Sequence, residues 1–108
     1  GPQTRIHAFD VQADGTLANR RIFFDAAGLR AAGARGSCDG LKLDQRGNLF
    51  ATGPGGVLII SPKGKHLGTL DTGTRIANVA WGNDGRTLYL TADSYLCRIR
   101  TKTRGAGF

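Results

Sequence analysis

The chain has 108 residues, so it is long enough for one domain that buries roughly two-thirds of its unfolded surface. Hydrophobic residues make up 40% of it, which excludes a disordered chain, and no apolar run is long enough to span a membrane. The net charge of +7 comes from scattered bases, whereas nucleic-acid-binding proteins cluster charge and interleave aromatic residues. We therefore expect neither nucleic acid nor a membrane as partner.

Short alternating apolar segments separated by glycine-containing turns fill most of the sequence. Asp-Gly and Lys-Gly pairs between such segments indicate hairpins, because glycine reaches positive φ at little cost. Residues 26–38 carry interior glycines and are predicted to be a loop with one helical turn. The alternation predicts nine strands in an antiparallel meander, at residues 6–11, 21–25, 40–44, 48–52, 57–61, 66–71, 76–81, 87–91 and 95–100.

The strands repeat along the chain. A shift of 39 residues places Asp39 on Asn78 and Thr52 on Thr91. A period of about 40 residues with four strands per unit is typical of a β-propeller blade, whereas a β-sandwich has no fixed period. We therefore predict an all-β partial propeller with about two to two and a half four-stranded antiparallel blades.

The predicted strands divide into three units. Residues 39–71 form a complete blade, 75–101 a three-stranded blade, and 5–25 the outer strands of an earlier blade; residues 102–108 form a tail. Propellers have about four to eight blades. We therefore expect the chain to be the C-terminal portion of a larger ring, with unpaired blade faces at both ends.

The last strand leads into the basic segment "RIRTKTR". Its bases alternate at Arg98, Arg100, Lys102 and Arg104. A period of two places them on one face of a strand, which predicts a solvated basic surface.

Several motifs together carry a resemblance to a known family. They include "DGLKLDQRGNLFATGPGGV", "ANVAWGNDGRTLYLTA" and "CRIRTKTRGAGF". These segments resemble the C-terminal part of the gluconolactonase / senescence marker protein / luciferin-regenerating enzyme family. The resemblance implies a six-bladed propeller that hydrolyses lactones, such as sugar lactones, with a divalent metal, Ca²⁺ or Zn²⁺, in its central channel.

The resemblance also assigns a site. The family has an acid–glycine pair at the start of an innermost strand as a metal ligand, and Asp39 in "CDG" matches it. This implies that Asp39 is a metal ligand and a catalytic carboxylate, able to accept a proton from the attacking water. The family's other ligands, a glutamate and an asparagine, belong to blades outside this sequence, which contains no glutamate.

Asn78 is predicted to line the substrate pocket, because the repeat places it at the position of Asp39. Simpler roles stay open for both residues. Asp39 is also a typical residue of an Asp-Gly turn, and Asn78 is suited to hydrogen bonds with neighbouring strand ends. His7 and His66 fall on outer strands, where a catalytic role is not expected.

Two functions follow, and whether the chain alone is an enzyme stays open. The first is the C-terminal part of a metal-dependent lactonase, inactive until a complementary N-terminal half supplies the missing ligands. The second is a non-enzymatic propeller segment that self-associates through exposed blade edges.

Two cysteines without a CxxC motif form no disulfide framework. We expect a cytoplasmic protein, or a periplasmic one if a leader has been lost.

Overall fold

The computed structural model describes residues 4–108 and confirms the all-β architecture. Each strand pairs antiparallel with its neighbour in sequence, in sheets of two, four and three strands. The elements are β1 (Arg5–Val11), β2 (Leu17–Asp25), α1 (Ala27–Ala31), β3 (Leu41–Leu43), β4 (Leu49–Gly53), β5 (Gly56–Ile60), β6 (His66–Leu70), β7 (Ile76–Gly82), β8 (Thr87–Ala92) and β9 (Tyr95–Arg100). The single turn of α1 matches the prediction for the glycine-containing loop. Among residues 4–108, no helix has the length and apolarity needed to cross a bilayer.

Strand β2 begins earlier than the alternation indicated, at Leu17 rather than Arg21. The β1–β2 register shifts between Ala8 and Asp10, and Asn19 adopts a φ of 55°. A bulge of this kind breaks the period-two pattern while the strand continues. The alternation in the sequence therefore did not predict the first four residues of β2.

The four-stranded sheet β3–β6 is the centre of the fold, because β4 and β5 are buried on both faces. Phe50 and Val57 belong to one core, which they share with β7–β9. Leu58 and Ile60 belong to a second core, shared with β1, β2 and α1. Successive side chains of a strand point to opposite faces, so one pair of strands serves both cores. The three sheets thus stack face to face as blades of a partial β-propeller.

The first strands of the two larger sheets, β3 and β7, lie against each other, and β7 also contacts β4. They are therefore the inner strands of their blades. As a consequence, the segments that lead into β3 and β7 meet at one end of the blades. Asp39 lies on the segment before β3, and Asn78 is the third residue of β7.

Residues 101–108 form a tail that crosses the opposite end of both blades. The Gln45 amide donates to the Arg104 carbonyl at 2.8 Å, and the Gly105 amide donates to the Gly85 carbonyl at 2.8 Å. A Cβ on Gly105 would overlap the side chain of Trp81, so the tail approaches the inner strand as closely as glycine allows. The tail therefore links the β3–β4 turn to the β7–β8 turn.

The predicted basic strand face is correct only as far as Arg100, where β9 ends. Arg100 forms an exposed ion pair with Asp84 at 3.0 Å. Lys102 and Arg104 lie in the tail, because the chain leaves the sheet to reach the β3–β4 turn. The prediction of four alternating bases on one strand face is therefore wrong.

Asp44 joins the tail to the β3–β4 turn and is only 2% exposed. Its Oδ1 accepts the backbone amides of Arg46 (2.9 Å) and Asn48 (2.8 Å). Its Oδ2 accepts the Asn48 side-chain amide (3.0 Å) and the Thr103 hydroxyl (2.8 Å). Burial opposes the charge, but the hydrogen bonds from Asn48, Thr103 and Arg46 outweigh it and lower the pKa of Asp44.

We expect acid to loosen this junction. Because the pKa of Asp44 is lower in the folded state, its charge contributes full stability above the unfolded value of about 3.9 and loses that contribution as the pH falls further. Asp44→Asn should therefore unfold at lower urea than the parent at neutral pH, and the difference should narrow below about pH 4. Urea titrations at several pH values measure this.

Thr103→Val is the companion variant, because it removes one hydrogen bond and keeps the carboxylate. It should cost about 1 kcal/mol of unfolding free energy. If the difference in unfolding free energy between Asp44→Asn and the parent stayed constant below about pH 4, the charge of Asp44 would not be what stabilises this junction.

Candidate functional site

Asp39 lies just before β3, at the end of the sheet where β4 ends and β5 begins. The residue is exposed, in contrast to the buried strands β4 and β5. Its carboxylate is therefore available to a ligand, and its backbone is held by the sheet.

The Thr52 hydroxyl fixes this backbone. Thr52 is fully buried at the end of β4. Its Oγ1 accepts the amides of Asp39 (3.2 Å) and Gly40 (2.9 Å). The same oxygen lies 3.3 Å from the Gly40 carbonyl and 3.4 Å from the Ala77 carbonyl. One hydroxyl thus ties the entry of β3 to the entry of β7.

Gly40 and Asn78 are in direct contact across the two inner strands. A Cβ on Gly40 would overlap the Asn78 Oδ1, so only glycine fits beside this side chain. The Asn78 Oδ1 also accepts the Val79 amide at 2.9 Å. The two residues predicted from the sequence are therefore brought together, with Asp39 adjacent to the glycine that Asn78 covers.

The strand register corrects the repeat equivalence of Asn78. Thr52 pairs with Gly40 through its amide, and Thr91 pairs with Asn78. Asn78 thus corresponds to Gly40, one residue beyond Asp39. The chain from Asn78 to its partner Thr91 is one residue longer than the chain from Gly40 to its partner Thr52. A uniform shift of 39 residues therefore aligns the second strands of the two blades but misaligns their first strands by one residue.

A cavity of about 280 Å³ opens next to Asp39. Three of its lining residues, Arg5, Ile6 and His7, come from β1. Sequence reasoning missed Arg5 and assigned His7 to an outer strand with no expected catalytic role. The His7 Nε2 lies 3.2 Å from the Arg20 guanidinium, and Arg5 pairs with Asp25 at 3.3 Å. Arg5 and His7 belong to a different blade, so no spacing within one motif reveals them. The cavity is lined by Arg5, Ile6, His7, Cys38, Asp39, Gly40, Leu41, Ala51 and Thr52.

Cys38 lines the same cavity, but it does not have the character of a nucleophile. Burial, together with the charge of Asp25, raises the pKa of its thiol. The thiol is therefore protonated near neutral pH. His66 lies on the outer strand β6, where its ring contacts Thr69 at 2.9 Å, far along the blade from Asp39.

The donor set is incomplete for a metal ion. Among residues 4–108, no three His, Cys, Asp or Glu side chains come together in a metal-binding arrangement. Asp39 and Asn78 offer a carboxylate and an amide oxygen, the kind of ligand that Ca²⁺ prefers, but Ca²⁺ takes about six to eight oxygens. The described residues therefore fit part of a cation site and do not form a whole one.

A family model and a curated relative that match this chain both carry the name gluconolactonase. Residues 1–94 match a family model described as the SMP-30/Gluconolactonase/LRE-like region. A gluconolactonase from Zymomonas mobilis subsp. mobilis (strain ATCC 31821 / ZM4 / CP4) is 39% identical over 88 residues, which are 80% of this chain and 23% of that protein.

Two solved structures extend the likeness to the fold. An X-ray structure of a protein proposed to be a gluconolactonase has a TM-score of 0.79 and 30% identity, over 92% of this chain and 32% of that one. A gluconolactonase from Xanthomonas campestris has a TM-score of 0.74 and 26% identity, over 87% of this chain and 29% of that one. The chain thus spans about a quarter to a third of the length of these relatives.

Thr52→Val tests how the site is held. The change keeps the shape of the side chain and leaves the Asp39 and Gly40 amides without their acceptor, so it should cost about 1–3 kcal/mol in urea unfolding. Thr91→Val is the matched control, because Thr91 occupies the same register position but is exposed. It should cost less than about 0.5 kcal/mol. Equal costs at both positions would contradict the role of Thr52.

Proposed function

The chain belongs to the SMP-30/gluconolactonase/LRE-like family, and we propose that it forms one wall of the active site of a lactone hydrolase. The observation that carries the proposal is the position of Asp39: an exposed carboxylate at the entry of an inner strand, with its backbone fixed by buried Thr52. The substrate is a small molecule similar to a sugar lactone.

Asp39 acts as the acceptor for the proton of the water that attacks the lactone carbonyl. A positioned general base contributes about 10²–10⁴ in rate. The same carboxylate supplies one oxygen ligand to a divalent cation, Ca²⁺ or Zn²⁺, which would polarise the carbonyl when bound.

Asn78 orients the substrate. Its Oδ1 accepts the Val79 amide, and its Nδ2 offers donors to a lactone oxygen. Contact between the Asn78 Oδ1 and Gly40 keeps this side chain beside the residue that follows Asp39.

A complementary N-terminal segment completes the site. Support comes from the relatives, since this chain covers only 23% of the Zymomonas gluconolactonase. It also comes from exposed apolar side chains on the β1–β2 sheet, where Val11 is 74% and Leu17 59% exposed. Further blades would cover this surface and bring the ligands that residues 4–108 lack. The chain alone is then inactive.

A chimera tests the proposal. The matched segment of the Zymomonas gluconolactonase is replaced by this chain, and hydrolysis of gluconolactone is followed by acid release with Ca²⁺ or Zn²⁺ present. The chimera should be active and the isolated chain inactive. Asp39→Asn in the chimera should lower kcat by about 10² or more, because the proton acceptor and a ligand charge are both lost.

Asp14→Asn is the control for that substitution. Asp14 lies in the β1–β2 turn, where its carboxylate accepts only local bonds from Thr16. It should leave kcat within about twofold of the parent. Full activity of Asp39→Asn in an active chimera would remove Asp39 from the mechanism.

We propose self-association through the outer edge of β9 as a second function. Leu96 is 73% and Tyr95 67% exposed on this strand, which pairs only with β8 among residues 4–108. An unpaired edge that carries apolar side chains is a template for pairing with another chain. A second copy of this chain offers the same edge.

Sedimentation analysis of the isolated chain measures this association. The chain should form dimers or larger species at micromolar concentration, and Leu96→Lys should shift it toward monomer by adding a charge at the edge. Leu67→Lys makes the same change on β6, the outer edge of the four-stranded sheet, and should leave the distribution unchanged if the association belongs to β9. A parent chain that sediments as a monomer throughout would rule out this second function.

A further inference from the structure

A second and larger cleft, of about 820 Å³, opens on the loops at the Asp39 end of the blades. Its walls are the segment 34–37, the β4–β5 turn and the connection from β6 to β7. Gly36 and Ser37 line this cleft, whereas Cys38, Asp39 and Gly40 line the Asp39 cavity, and the two cavities share no lining residue. The cleft is lined by Arg30, Ala34, Arg35, Gly36, Ser37, Gly53, Gly55, Gly56, Asp71, Gly73, Thr74, Arg75 and Ile76.

The lining is strongly basic. Arg30, Arg35 and Arg75 face one acidic residue, Asp71, so the formal charge of the lining is three minus one, or +2. Among residues 4–108, none of these arginines forms an ion pair with a carboxylate. Asp71 instead accepts the Gly73 amide at 2.8 Å within its own turn. The positive charge is therefore not neutralised by the protein.

Hydrogen bonds hold the cleft in shape. The Arg30 guanidinium donates to the Gly36 carbonyl at 2.6 Å, which braces the segment 34–37 against α1. The Gly55 amide donates to the Arg35 carbonyl at 2.8 Å, which attaches that segment to the β4–β5 turn. On the opposite wall, the Arg75 carbonyl accepts the Asp93 amide at 2.9 Å. Both walls that carry the arginines are thus fixed to the sheets.

Glycines make the close approach of these loops feasible. Gly36 has a φ of 115°, and a Cβ there would lie 3.0 Å from the Gly53 carbonyl oxygen. Gly56 has a φ of 139°, and a Cβ there would overlap the Leu70 carbonyl. Both positions require a conformation that L side chains rarely adopt. Glycine backbone at Gly36 and Gly56 therefore forms part of the cleft wall beside the arginines.

We propose that this cleft binds a small oxyanion, a carboxylate or phosphate group carried by a molecule of sugar size. Guanidinium groups present paired donors that match both oxyanions, and they bind them more strongly than neutral donors do. The volume suits a small organic ligand. The site is separate from Asp39 and needs no lactone chemistry.

Amide NMR titrations of the chain test the site with three probes: gluconate as the carboxylate source, inorganic phosphate as the phosphate source, and glucose as the neutral control. Either anion should give saturable shifts at the amides of Gly36, Gly55 and Gly73, and the tighter one identifies the source. Arg35→Gln and Arg75→Gln should each weaken that binding by about tenfold, the effect of losing one charge-assisted pair.

Arg98→Gln is the charge-matched control, because it removes one positive charge from exposed β9 and should change the Kd by less than about twofold. Asp39→Asn should leave anion binding unchanged, which separates this result from any failure of the lactonase proposal. The inference is overturned if neither anion gives saturable shifts, if glucose binds as tightly, or if Arg98→Gln weakens binding as much as Arg35→Gln and Arg75→Gln.

Discussion

The burial of both faces of β4 and β5 is the constraint on which the rest of the structure depends. Val57, Leu58 and Ile60 are fully buried, yet they belong to two different cores. A two-stranded sheet such as β1–β2 is marginal by itself in water. It is held because Ile6 packs into the core that Leu58 and Ile60 build. Without that central pair of strands, the three sheets have no common surface.

The same stacking of the sheets determines where polar side chains lie. Apolar residues fill the middle of the strands, so polar groups collect at the strand ends, where the inner strands of adjacent blades meet. At one end the Thr52 hydroxyl joins the entries of β3 and β7. At the other end Asp44 joins the β3–β4 turn to the tail. The junction between the β3–β6 and β7–β9 blades thus has one buried polar side chain at either end, and the exposed groups beside Thr52 remain available to ligands.

The sequence was most informative where interactions are local. Alternation and glycine turns located all nine strands, because a half-buried strand repeats every two residues. The bulge at Asn19 hid the start of β2, and one additional residue in the β7–β8 connection misplaced the equivalence of Asn78. The candidate role of Asp39 came from the family resemblance. Thr52, whose contacts span three strands, and Arg35 and Arg75, which meet only through loop packing, carry no local pattern. Such residues need the fold before they can be recognised.

The contact between Asp44 and Thr103 has a consequence for the order in which the protein is made. The two residues are 59 positions apart in the chain. At a synthesis rate of about 5–20 residues per second, Thr103 is synthesised about 3–12 s after Asp44. During this time only the donors of its own turn, from Arg46 and Asn48, satisfy the carboxylate. A nascent chain is therefore able to assemble the central blade before the tail is synthesised, and the contact between blade and tail forms afterwards.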